Sequence, residues 1–73
     1  MEKLFEIKKN LPVEYENYRS SIEDETIQRV QFDLTEEITL DVAQNLQSFF
    51  NDYFQDFSMS LAFDRNNITV QRQ

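Results

Sequence analysis

The sequence predicts an α+β domain: a sheet of about three largely antiparallel strands, one long amphipathic helix packed across it at about residues 36–57, and a short N-terminal helix. Two observations carry that class. Apolar residues recur at helical spacing through 36–57, and they alternate with polar residues in three shorter runs around it. A helix laid on one face of a sheet buries both sets of apolar rows together. Seventy-three residues make one domain, near the lower limit for a chain that folds without staples.

The long helix is the clearest element. Thr35 is a good N-cap, and Glu36 and Glu37 follow in the first turn, where the helix dipole favours carboxylates. At ~100° per residue, Ile38, Val42, Ala43, Leu46, Phe49, Phe50, Tyr53, Phe54 and Phe57 share one arc of about 160°. Glu37, Asp41, Gln44, Gln47, Ser48, Asn51, Asp52 and Gln55 fill the opposite arc, and only Leu40 is out of place. The aromatic cluster "SFFNDYFQDF" therefore reads as a buried helix face rather than a gripping motif.

Before the helix, "TIQRVQFDL" alternates Val30, Phe32 and Leu34 against Arg29, Gln31 and Asp33, the pattern of a half-buried strand. After it, "SMSLAFD" and "NITVQR" alternate in the same way, and Asp64 to Asn67 lie between them. Asn66 and Asn67 are expected to take the left-handed conformation of a tight hairpin, since the chain has no Gly. The first 25 residues are less clear. Leu4, Ile7, Leu11, Tyr15, Tyr18 and Ile22 form a stripe spaced for a helix, interrupted by Pro12. The expectation is a helix from about Pro12 to Ile22, then a solvated turn at "EDE". Residues 3–9 fit either a short helix or an edge strand.

Composition excludes several function classes. There is no Cys and no His, which removes thiolate and imidazole metal ligands and the usual general base. Phosphate cradles need Gly, so the usual nucleotide motifs are absent. Ser20, Ser21, Ser58 and Ser60 have no recognisable base beside them. Asp64-Arg65-Asn66 begins like a calcium loop but lacks its Gly and terminal Glu. No enzyme, metal site or cofactor is expected. No run approaches a membrane span, and the N-terminus lacks the apolar stretch of a secretory signal, so the cytoplasm is the expected location.

Charge is the informative feature. The formal net charge is −7, and residues 30–64 hold seven acids (Asp33, Glu36, Glu37, Asp41, Asp52, Asp56, Asp64) and no base. Such a surface repels nucleic acid and anionic membrane and favours a basic protein partner. Glu37, Asp41, Asp52 and Asp56 would lie along one side of the long helix, a single-sign stripe where most surface helices mix signs. The competing reading is a solvated face that keeps a small domain soluble.

Very short, acidic, Gly-poor and Cys-free α/β chains resemble the small inhibitors that phages and mobile elements encode. Many of those mimic nucleic acid and block restriction, CRISPR or DNA-repair enzymes. The resemblance is one of style and assigns no residue a role; what it implies is an anti-CRISPR or anti-restriction type of inhibitor acting in the host cytoplasm. On that expectation Glu37, Asp41, Asp52 and Asp56, aided by Asp33 and Asp64, stand in for phosphates on the basic surface of a nucleic-acid enzyme. The alternative is a small structural or adaptor subunit. It would self-associate or join a larger complex through the N-terminal apolar stripe, with Tyr15 and Tyr18 at the interface.

Overall fold

A computed structural model describes residues 2–55 and 59–73. The class is α+β, and among the described residues the sheet has four strands, rather than about three, beside two helices. The order is α1 (Glu2–Asn10), β1 (Tyr15–Glu23), β2 (Thr26–Leu34), α2 (Leu40–Tyr53), β3 (Met59–Asp64) and β4 (Asn67–Arg72). Every pairing is antiparallel and the spatial order is β1-β2-β4-β3. Two hairpins thus flank α2, and β2 and β3 run parallel with β4 between them. Among the described residues no helix is long and apolar enough to cross a membrane.

One core holds the elements together. Leu4 and Ile7 of α1, Leu46 and Phe50 of α2, and Ile27, Val30, Phe32, Leu34, Ile68 and Val70 of the sheet are buried in a single cluster with Phe54. The period-2 reading of "TIQRVQFDL" is borne out: Val30, Phe32 and Leu34 face the helices, while Arg29, Gln31 and Asp33 face away.

The expected helix at Pro12–Ile22 is a strand, β1. The reason is a bulge. Tyr15 pairs with Leu34 but Asn17 pairs with Asp33, so Glu16 is an extra residue in the ladder. It brings Tyr15 and Tyr18 onto the same face at a spacing of three, and Ile22 follows at a spacing of four. A bulged strand has thereby imitated a helical stripe. A second irregularity at Gln28, where Ser21 pairs with Arg29 and Ile22 with Ile27, returns Ile27 to the core face. The N-terminal helix lies at Glu2–Asn10 instead, and it stops before Leu11 because Pro12 disfavours helix in the preceding residue.

Helix α2 begins at Leu40, four residues later than expected. Thr39, not Thr35, is the cap, with its Oγ1 accepting from the Val42 N–H at 3.3 Å. Residues 35–39 are tied elsewhere: Thr35 N–H donates to the Glu14 carbonyl at 3.3 Å and Ile38 N–H to the Arg65 carbonyl at 2.8 Å. The helix closes at Phe54, whose N–H reaches the Phe50 carbonyl. Its apolar arc packs as expected through Phe54, Leu40 is 75% exposed, and Phe57 lies outside the described residues. Thr39→Ala is expected to lower stability by about 1 kcal/mol, read as a lower urea midpoint.

The turns dispense with glycine. At the β3–β4 hairpin the positive φ falls on Arg65 (59°), not on Asn66 or Asn67. Asn66 is otherwise engaged, its side-chain Nδ2 donating to the Leu34 carbonyl at 2.9 Å and its carbonyl accepting from Leu34 N–H at 2.7 Å. Those bonds fix the turn against the end of β2. At the β1–β2 hairpin, Asp24 and Glu25 both have positive φ (50° and 62°), which suits Asn-Gly far better than a β-carbon-bearing pair. Asp24→Asn with Glu25→Gly is expected to raise stability by about 1 kcal/mol, measured by the same urea titration.

Candidate functional site

Of the six carboxylates expected to act together, the five among the described residues are divided between two surfaces. Asp41 in the first turn of α2 and Asp52 near its end are exposed. Eleven residues apart, they lie within ~20° around the axis and ~16 Å along it. No base occurs on the helix, and among the described residues neither aspartate has an ion pair or side-chain hydrogen bond. Glu37 is not on the helix. It sits in the connection before it, where Arg65 Nη2 approaches its Oε1 at 3.7 Å, with both side chains at least 75% exposed. An ion pair so exposed contributes little to stability and leaves Glu37 open to competition. The expected continuous four-acid stripe is therefore two helix acids plus one loop acid, and Asp56 lies outside the described residues.

Asp33 and Asp64 belong to the uncovered face of the sheet, opposite the helices. They flank Asn67, which pairs with each of them across the ladders. Asp33 is engaged in a closed ring of side chains. Arg19 Nε donates to Gln31 Oε1 (3.1 Å), Gln31 Nε2 to Thr69 Oγ1 (3.0 Å), and Thr69 Oγ1 to Asn67 Oδ1 (3.0 Å). Asn67 Nδ2 donates to Asp33 Oδ1 (2.8 Å), and Arg19 Nη1 returns to Asp33 Oδ2 (3.4 Å). Three strands contribute, so the ring staples β1, β2 and β4 on their solvent side. The Asn67 amide first, and then the Arg19 guanidinium, hold the Asp33 carboxyl below its ordinary value of 3.8 despite partial burial.

That shift has a definite sign. A depressed folded-state pKa adds stability that is present above pH 3.8 and is lost as the pH falls through the lower folded value. In a carboxyl-resolved NMR titration Asp33 is expected to titrate below 3.8, and Asn67→Ala is expected to move it upward.

A third feature was not apparent in the sequence. Glu14, Glu36 and Glu37 rim an open groove of about 440 Å³ whose apolar lining comes from Val13, Leu34 and Val42. Glu14 is 22 positions from Glu36, and only the Tyr15–Leu34 register brings them together. No local signal in the chain could have paired them. An acidic rim over an apolar floor suits a Lys or Arg side chain, whose stem packs on the floor while its head meets the carboxylates. Among the described residues, no three acids are grouped so as to hold a metal ion.

Tyr15 and Tyr18 are used by the domain itself. The Tyr15 ring meets Phe32 edge-on at 5.0 Å. Tyr18 carries Lys8 of α1 above its ring at 4.0 Å and accepts a hydrogen bond from Lys8 Nζ at its hydroxyl, 2.8 Å.

No protein family, curated protein or solved structure matches this chain.

Proposed function

We propose that the protein is a non-catalytic inhibitor that docks, as a nucleic-acid mimic, on the basic nucleic-acid-binding surface of an enzyme. The observation that carries this reading is the solvent face of α2 and the loop before it. There Glu36, Asp41 and Asp52 are exposed without a partner among the described residues, beside Glu37 and the acid-rimmed groove. Desolvating unpaired carboxylates is costly unless a cation meets them, so this face selects basic partners and rejects nucleic acid. Asp33 drops out of the docking set because both its oxygens are already occupied. Glu14 and Glu36 enter it.

The absence of His and Cys and the lack of any buried polar side chain among the described residues favour binding over catalysis. A perturbed, desolvated group is what acid–base chemistry needs. The alternative interface at the N-terminal stripe has less in its favour, because Leu4 and Ile7 lie within the chain's own core.

The test is capture from bacterial lysate with wild type and with a Glu36→Gln, Glu37→Gln, Asp41→Asn, Asp52→Asn variant. Wild type is expected to retain nucleic-acid enzymes at about 50 mM salt and to lose them by about 500 mM. The variant is expected to lose them at both. A partner retained by the variant at high salt would sink the charge-mimic reading.

A further inference from the structure

The two margins of the sheet are guarded very differently. β1 carries Glu16, Arg19 and Glu23 and is interrupted by a bulge, both standard defences of an open strand. β3, at the other margin, reads Met59-Ser60-Leu61-Ala62-Phe63 with no charge until Asp64, no proline and no register shift against β4. Its edge is open among the described residues, since β3 ends the strand order. Apolar surface is exposed beside it. Phe63 is 39% exposed although it pairs with the buried Ile68, and Leu40 stands across a shallow groove from it, with Ala43 and Ile38 alongside.

We infer that β3 is a self-association edge, at which two copies of this chain pair antiparallel to form one continuous eight-stranded sheet. The hairpin geometry fixes which residues of β3 bond outward. In a two-residue hairpin the closing pair, here Asp64 and Asn67, exchanges both backbone hydrogen bonds, and such pairs recur at every second position. Asp64, Ala62 and Ser60 therefore bond inward to β4, and Met59, Leu61 and Phe63 present N–H and C=O outward. Pairing about a two-fold axis at Leu61 sets Leu61 against Leu61 of the second copy and Met59 against Phe63. About six backbone hydrogen bonds form. On the helix side the apolar row runs unbroken through both copies; on the other side Ser60 faces Ala62.

Charge selects the second copy over a foreign partner. Two chains of net charge −7 repel at most orientations. At this margin the repulsion is offset: Leu40, Ala43 and Phe63 line the groove beside β3, Glu37 there is met by Arg65 at 3.7 Å, and Asp41 and Asp52 lie roughly 100–120° around the helix from Leu40. The Asp64 side chains of the two copies end up roughly 20 Å apart, well beyond the screening length. A basic partner is drawn to the acidic face instead, and the two surfaces share only Glu37, which lines both grooves.

Sedimentation of the full chain between about 1 and 500 µM tests this. A monomer–dimer equilibrium is expected for wild type, with Phe63→Lys and Leu40→Lys each raising the dissociation constant about tenfold or more. Both positions are exposed, and far-UV circular dichroism verifies that the variants stay folded. The chain has no cysteine, so Ser60→Cys and Ala62→Cys proteins can be mixed under mild oxidation. The mixed disulfide is expected to form faster than either homodimer, whereas Ser21→Cys on β1 gains nothing. A wild type that stays monomeric throughout overturns the inference, and so does a dimer indifferent to Phe63→Lys or a mixed pair with no advantage.

Discussion

Phe50→Ala is expected to leave the chain largely unfolded at 37 °C. Phe50 is wholly buried, and its ring lies against those of Phe32 (6.3 Å), Phe49 (5.2 Å) and Phe54 (6.4 Å). It is a point where α2 meets β2, one of the two inner strands. Truncating such a residue costs about 3–5 kcal/mol in lost transfer energy and residual cavity. A domain this short has roughly 4–10 kcal/mol in all, so the loss takes about 30% of it at least and can exceed the whole. The urea midpoint of Phe50→Ala should fall by about 30% or more, or the transition should have no folded baseline. Phe5→Ala is the matched control. That ring is 62% exposed on α1, and its removal should change stability by no more than about 0.5 kcal/mol. Equal effects at the two positions would mean that α2 is not seated on the sheet as described.

The contrast between those two phenylalanines shows what the sequence could reveal. Helical periodicity places Phe50 within an apolar arc, and the structure buries it there. The alternation around Val30 and Phe32 is equally direct, because each strand residue's facing follows from its parity. Both signals are local. β1 failed because a bulge is not local: one extra residue, Glu16, is defined only by its partner strand. With that residue the spacing of Tyr15, Tyr18 and Ile22 fits a helix as well as a strand. The start of α2 failed for a related reason. Thr35 and Thr39 are both plausible caps, and bonds from Thr35 and Ile38 to Glu14 and Arg65 decide between them.

The candidate site divides along the same line. Seven acids without a base between residues 30 and 64 can be counted in the sequence. Which of them remain available is a tertiary fact. Asp33 meets Arg19 across β1 and Asn67 across β4, and Glu37 meets Arg65 at a hairpin tip. Asp41 and Asp52 have no base at helical reach in sequence, so their exposure was readable in advance. Acidity thus marks the candidates, and the fold decides which of them share a surface.

Ile7→Asp is the second change expected to have a large effect, and it separates two accounts of the N-terminal stripe. If the stripe were a docking surface, a charge at Ile7 would release a partner and leave the domain folded. The structure puts Ile7 wholly inside the core, with Leu4 one turn away. α1 is also pinned to its neighbours: Asn10 Nδ2 donates to the Tyr53 hydroxyl at 3.2 Å, Lys3 lies 5.4 Å from the centre of the Phe54 ring, and Lys8 covers Tyr18. Removing the isoleucine contacts alone costs about 2–5 kcal/mol, and burying an unpaired carboxylate adds to that unless α1 undocks. Undocking would in turn uncover Phe50, Phe54 and Phe32 to water. Ile7→Asp is therefore expected to lose cooperative unfolding in urea and to bind a hydrophobic dye at neutral pH. The loss should ease below about pH 4, where the new carboxyl is neutral. A folded, cooperative Ile7→Asp protein would mean that α1 is not part of the core, and the stripe would again be available to a partner.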